Sequence, residues 1–277
     1  MMKINKIIVL IMIALFCSCS RNNNFVKNDI SYKISDFCNA IDNDDLFTVN
    51  KIIESGFNIN EYVDENENNL LDYAIAKNKE TISSLLIENG IDINHKDING
   101  KSIFTKSIGK ISPTLLEKFL NFGLDYTELS FRNMNYFEYM LFKKEYECAY
   151  KFITDSRVYD FFQNNSNLLV YLIYYWDSQW SQKIGNFLIE KGYMWNNQIP
   201  YYFYAIDEGE LSAIKWLKSI GISHEQKYYD ELYEAFYTPR EYAINRLQKM
   251  THFLGKDYVY TESDEEVLRM KEIINIL

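Results

Sequence analysis

A glycine placed directly after the apolar end of a helix-like run recurs along this 277-residue chain at a near-constant interval. It appears in KIIESGFNIN, LLIENGIDIN, KFLNFGLDYT, FLIEKGYMWN and WLKSIGISHE, which hold Gly56, Gly90, Gly123, Gly192 and Gly221. KFITDSRVYD keeps the same shape with Ser156 in the glycine slot. Sixteen residues before Gly56, Gly90, Gly123, Ser156 and Gly221 stand Ala40, Ala74, Ser107, Met140 and Ala205. Only Leu172 is displaced, twenty residues before Gly192. These anchors lie 32 to 34 residues apart. A period of that length means stacked supersecondary units, each burying its apolar face on the next, so the stack and not the single unit is the cooperative object.

The residues around the period fit two short helices and a hairpin. The glycine ends the second helix in the left-handed conformation, which costs other L-residues about 1–2 kcal/mol. Gly100 allows a tight turn, with Asp92 and Asp97 bonding back to turn backbone. Ser102 and its equivalents cap the following helix. Runs such as TISSLLI (81–87) bury one helical face.

This pattern resembles the ankyrin repeat, whose signature is T-P-L-H-x-A followed by a glycine-ended second helix. NLLDYA (69–74), SIFTKS (102–107), NYFEYM (135–140) and NLLVYL (167–172) occupy the signature slot, and TPREYA (238–243) is the nearest literal match. SDFCNA (35–40) fits loosely at the start, and PYYFYA (200–205) follows a shortened hairpin. The resemblance implies an all-α ankyrin-repeat solenoid over 31–277, with six units, a modified seventh acting as a cap, and short hairpin loops. Repeat five carries four extra residues around WDSQW (176–180). The seventh unit carries an insertion over roughly 251–263, before a charged terminal helix at 264–277.

The N-terminus has another logic. Lys3 and Lys6 precede ten apolar residues, 7–16, followed by CSCS. A positive start and a short apolar core make a secretory signal, too short to span a bilayer as a permanent helix. Phe16-Cys17-Ser18-Cys19 resembles a relaxed bacterial lipobox, which implies a signal peptide over 1–18, a diacylated Cys19 and a flexible tether over 19–30. Cys17 fits that pattern less well, because bulky Phe16 precedes it. The alternatives are a plain signal peptide and an uncleaved signal anchor. Acyl chains on Cys19 imply a lipid anchor to a bacterial membrane, with the chain exported to the cell envelope and facing the periplasm or the cell surface.

Net charge is −10, and removing 1–18 takes away two lysines and no acid. Such a field repels phosphate backbones, so no nucleic acid is expected as partner, whereas a basic or neutral protein suits it. The repeat register holds Cys38 and Cys148 too far apart for a disulfide and reads both as buried small apolar residues. It also separates His95, His224 and His252, against a metal site or a catalytic triad. The carboxylate groups at Asp42/Asp44/Asp45, Asp64/Glu65/Glu67 and Glu262/Asp264/Glu265/Glu266 lack calcium-loop spacing, and no glycine-rich phosphate loop is present. No metal, cofactor or enzymatic activity is expected, and the chain is read as a monomer.

Ankyrin proteins bind partners with hairpin tips and the exposed side of the first helix. By that resemblance the residues two and three after each anchor lie on the concave side. In repeats four to six these are Phe142, Lys143, Tyr174, Tyr175, Asp207 and Glu208, joined by Phe131 and Arg132 at the hairpin tip of repeat four. Aromatics and arginine are the composition of a binding hot spot. The alternative is that Tyr174 and Tyr175 merely plug the gap left by the insertion in repeat five. The expected function is a non-catalytic scaffold binding a protein partner, or alternatively an immunity protein neutralising an exported toxin. Cys19→Ser is expected to turn an acyl-labelled, detergent-phase protein into an unlabelled soluble one. Label lost from Cys17→Ser instead would place the lipid on the other cysteine.

Overall fold

The computed structural model describes residues 31–163, 167–252, 261 and 263–277. The 1–18 signal segment with Cys17, the whole 19–30 tether with Cys19, and most of the 251–263 insertion therefore lie outside the described residues.

Each unit contributes a first helix and a second helix. The first helices are α1 (Ile34–Asp42), α3 (Leu70–Ala76), α5 (Ile103–Ser107), α7 (Tyr136–Phe142), α10 (Leu168–Tyr174), α12 (Tyr201–Asp207) and α14 (Pro239–His252). The second helices are α2 (Leu46–Glu54), α4 (Glu80–Glu88), α6 (Pro113–Asn121), α8 (Tyr146–Thr154), α11 (Trp180–Glu190), α13 (Leu211–Ser219) and α15 (Glu265–Ile276). First helices pack on first helices, as α3 on α5 and α10 on α12, and second on second, as α4 on α6 and α6 on α8. The result is the two-layered solenoid expected from the period. Its core is a continuous apolar seam, running for example through Phe104, Phe119, Tyr136 and Phe152.

The recurrent glycines do what their spacing predicts. Gly56, Gly90, Gly123, Gly192 and Gly221 all have φ between 81° and 96° and no room conflict, so backbone conformation alone selects them. After the last four, the next N–H bonds back five residues to the helix, as Ile91 to Leu86 (3.2 Å) and Tyr193 to Leu188 (2.8 Å). Ile91, Leu124, Tyr193 and Ile222 are thereby turned into the core. A second left-handed position, four residues past the anchor, holds Asp44, Asn78, Lys144 and Gly209. Its residue types vary, so the sequence pattern does not mark it.

The caps follow the signature slot. Asn69 accepts from Leu71 and Asp72 N–H, and the Asp72 carboxylate accepts from Asn69 N–H. Ser102 accepts from Thr105 and Asn135 from Glu138, and Thr238 and Glu241 cap reciprocally. Neighbouring hairpins are tied by side chains: Asn60 Oδ1 accepts from Asp92 N–H (2.7 Å) and Asn94 Oδ1 from Asp125 N–H (2.8 Å).

Repeat four corrects the sequence reading. Ser156 does not end α8 in a glycine slot; it opens an additional helix, α9 (Ser156–Phe162), whose N-cap is Asp155. The Asp155 carboxylate accepts from Arg157 N–H, and the Arg157 guanidinium donates to Leu120 O (2.8 Å) at the end of α6. On the other side Tyr159 OH donates to Lys191 O (3.1 Å) at the end of α11. Helix α9 thus ties the second helices of repeats three and five. Val158, Tyr159 and Phe162 are buried, and this packing outweighs the local resemblance to a glycine stop.

The four extra residues of repeat five are shared between a longer connection and a longer second helix: α11 has 11 residues where α4, α6 and α8 have 9. The space is filled by Trp176, which is buried and donates its indole N–H to Ser212 (2.8 Å). It lies 5.4 Å from the Trp216 ring. Beyond α13, β1 (Tyr228–Asp230) and β2 (Ala235–Tyr237) form an antiparallel hairpin with Tyr229 opposite Phe236, two short strands that the helical period does not announce. Helix α15 begins with Glu265 and Glu266 and buries Val267, Met270 and Ile273 on one face, as a terminal cap requires. It starts at Glu265, with Asp264 as N-cap.

Gly185 in α11 lies against Trp216 of α13. A Cβ there would lie 2.3 Å from Trp216 Cζ2, and the indole is buried. Gly185→Ala removes the helical cost of glycine, about 1 kcal/mol, but forces an overpacked core, about 1–3 kcal/mol. The clash should win. Denaturant melts are expected to show a net loss of up to about 2 kcal/mol, and a gain would mean the tryptophan relaxes freely.

Candidate partner-binding face

Helices α7, α10 and α12 each have 7 residues and lie side by side, so their C-terminal ends share one register. That register carries Phe142 and Lys143, Tyr174 and Tyr175, and Asp207 and Glu208. Phe142 and Tyr175 meet edge to face at 5.9 Å, and Tyr175 and Tyr174 at 5.0 Å. Tyr139 continues the series, stacking on Phe142 at 6.2 Å. Tyr174 is 49% exposed and Phe142 38%, while Tyr175 is half-buried. The gap in repeat five is filled by Trp176, so Tyr174 is left facing solvent. The rings form a ladder on the surface, and not a plug.

Carboxylates flank the ladder. Glu138, half-buried, is pushed above the usual range by burial, against a hydrogen bond from Tyr171. Burial and then the charge of Asp207 push Glu208 up as well. Among the described residues Glu208 has no ion-pair partner. Asp207 is engaged inside the protein: Tyr242 OH donates to both its oxygens at 3.0 Å, and Arg246 Nε lies 2.9 Å from Oδ1. That Nε–H is not aimed at the oxygen, so the contact is one of charge. Asp207 therefore joins repeat six to the seventh unit, and Glu208 carries the outward carboxylate.

The hairpin tip before α7 is a 3₁₀ turn, Phe131–Asn133, with Arg132 at φ 59° and exposed. The Phe131 side chain lies outside the described residues.

A feature that sequence reasoning missed lies next to the ladder. Helix α5 has only 5 residues and ends at Ser107. The surface beside it opens into a recess of about 680 Å³ lined by Lys96, Lys101, Lys106, Lys110 and Lys143, with Ile108, Leu129 and Tyr139. These lysines are scattered through three loops and helix ends, and no local motif announces them.

The groups weighed for chemistry stay apart. His95 Nε2 contacts Glu67 O and its ring lies against Tyr62 at 5.3 Å, while His224 sits beside Glu225. The His252 side chain lies outside the described residues. The buried Cys148 thiol is pushed up to about 12 by burial and donates to Ile111 O. Cys38 is half-buried, and not buried as expected, and both thiols are free. Among the described residues no His/Cys/Asp/Glu group could hold a metal ion, and no helix is long and apolar enough to cross a membrane.

No protein-family profile matches the chain, and no curated protein matches it. Solved structures do. The human ASB11 ankyrin repeat domain aligns with a TM-score of 0.53 at 14% identity, over 86% of this chain and 96% of that one. The ankyrin repeat protein EF0377 aligns with a TM-score of 0.54 at 22% identity, over 68% of this chain and 98% of that one. A predatory endopeptidase from Bdellovibrio bacteriovorus in complex with an immunity protein gives a TM-score of 0.46 at 14% identity, over 66% and 97%. The fold of this chain is the ankyrin-repeat solenoid.

Glu208 gives a test of the electrostatics. Its raised folded-state value means that the folded protein binds this proton more readily than the unfolded chain, so stability falls as pH rises through that window. Glu208→Gln should therefore stabilise at pH 7, on the surface scale of about 0.5 kcal/mol or less. The advantage should vanish below the usual value of 4.5, where both chains are neutral. An advantage unchanged by pH in paired melts would show that burial of the charge is not its cause.

Proposed function

We propose that this chain is a non-catalytic protein-binding solenoid, held by a diacylated Cys19 at the membrane of a bacterial envelope and facing the periplasm or the cell surface. The observation that carries the binding role is the exposed ring series Phe142–Tyr175–Tyr174 on the first-helix face, with Trp176 filling the gap behind it. Rigid aromatics present large contact area at low entropic cost, which is why they dominate hot spots. Lys143 and Arg132 border the rings on one side and Glu208 on the other, with Asp207 fixing the end of α12. Charges at a rim of this kind set orientation and on-rate more than affinity. The protein acts as a monomer, without cofactor or nucleic acid.

The partner is to be captured by affinity purification from the membrane fraction. Several envelope proteins would mark a scaffold, and a single exported toxin an immunity role. Truncating a central aromatic costs about 2 kcal/mol or more. Tyr174→Ala with Tyr175→Ala is thus expected to weaken the captured partner's binding by well over tenfold while the thermal melt shifts little, and Tyr174→Ala alone, at the more exposed ring, should weaken binding with still less effect on the melt. Binding that falls only in step with the folded fraction would overturn the assignment.

A further inference from the structure

The first-helix face is electrically bipolar, and this says what lies on it. In a chain of net charge −10, the recess beside α5 gathers five lysines. Two are neutralised internally: Lys96 by Glu128 at 2.6 Å, and Lys106 by Asp72 at 2.7 Å and Asp97 at 3.5 Å. Lys101, Lys110 and Lys143 are exposed and have no ion-pair partner among the described residues. Their clustering is built in. Gly109, at φ 92°, turns the chain after the shortened α5, and the Lys143 stem packs over it, with Cε 3.4 Å and the Glu145 carboxylate 3.6 Å from where a Cβ would stand.

The recess is continuous with the ring ladder, because Tyr139 lines it and also stacks on Phe142. At the ladder's other end Tyr175 feels the charge of Glu208, and Glu138 of α7 lies alongside the rings. Cations, rings and carboxylates therefore follow one another from repeat three to repeat six. Like charges held together without counter-ions are relieved by a complementary partner.

Resting on the reading of this face as a protein-binding surface, we infer that it takes one bipolar segment of a protein partner. The acidic end of that segment lies in the Lys101/Lys110/Lys143 recess, its apolar side chains lie over Phe142, Tyr175 and Tyr174, and its basic end lies at Glu208. Three helix spacings of about 8–10 Å set the distance to be spanned, about seven to nine residues of extended chain.

The probes are labelled peptides: one with a glutamate block, an aromatic-aliphatic centre and a lysine block, and two with the same centre and both ends glutamate or both lysine. Fluorescence anisotropy at physiological salt should show the mixed peptide binding tighter than either single-charge peptide. Lys101→Glu with Lys110→Glu should weaken the mixed and all-glutamate peptides roughly tenfold or more and spare the all-lysine one. Glu208→Lys should do the reverse, and Tyr174→Ala should weaken all three. Circular dichroism checks that each variant is folded. Charge reversals without selective effect, or no binding by any peptide, overturn the inference. If Tyr174→Ala still weakens binding in the first case, the aromatic face stands and only its bipolar occupant falls. Charge effects without a Tyr174 effect would place the segment off the ladder and overturn both.

Discussion

The structure depends on a stop. At the end of most second helices one residue takes a left-handed conformation that only glycine adopts without strain, and the next apolar residue turns back under the helix. This reversal sends the chain into a hairpin and returns it to start the following first helix beside the previous one. Gly90 with Ile91 and Gly192 with Tyr193 show the two halves of the device: a backbone that bends and a side chain that is buried by the bend. Each pair of short helices is unstable alone, so the bend matters because it brings the next pair into place.

The departures from that regular stack are where the candidate site arises. Repeat three shortens its first helix, repeat four replaces its hairpin by α9, and repeat five lengthens both its connection and its second helix. Each irregularity is taken up by a local contact, by Lys143 packed over Gly109 at the surface, by Arg157 and Tyr159 on neighbouring helix ends, and by the buried Trp176 against Trp216. On the outside, a lysine recess lies beside the shortened α5, and an exposed run of aromatic rings follows it on the first helices of repeats four and five.

The carboxylates at the far end show the same division between structure and function. Asp207 has its oxygens taken by Tyr242 and sits against Arg246, which fixes the seventh unit onto the sixth. Its neighbour Glu208 is exposed and has no counter-charge among the described residues, and burial with the charge of Asp207 disfavours its ionised form. Binding surfaces are drawn from such under-satisfied groups, because a partner then supplies what the fold withholds.

The repeat, its register, the helix caps at Asn69, Ser102 and Asn135, and the terminal cap were legible in the chain, because each rests on short-range chemistry: a left-handed residue needs glycine, and an N-cap needs a short polar side chain. The same register put Phe142, Tyr174 and Glu208 on one face. Ser156 was misread because its flanking residues match the stop, while the deciding contacts lie on Leu120 and Lys191, more than thirty residues away in either direction. The lysine recess was equally invisible, since Lys101, Lys110 and Lys143 meet only after α5 ends early and the next repeat folds over it. The sequence by itself determined the period and the direction in which each side chain would face. Only the tertiary structure decided which of those side chains are covered by a neighbour, because burial depends on the packing of distant segments that no local pattern encodes.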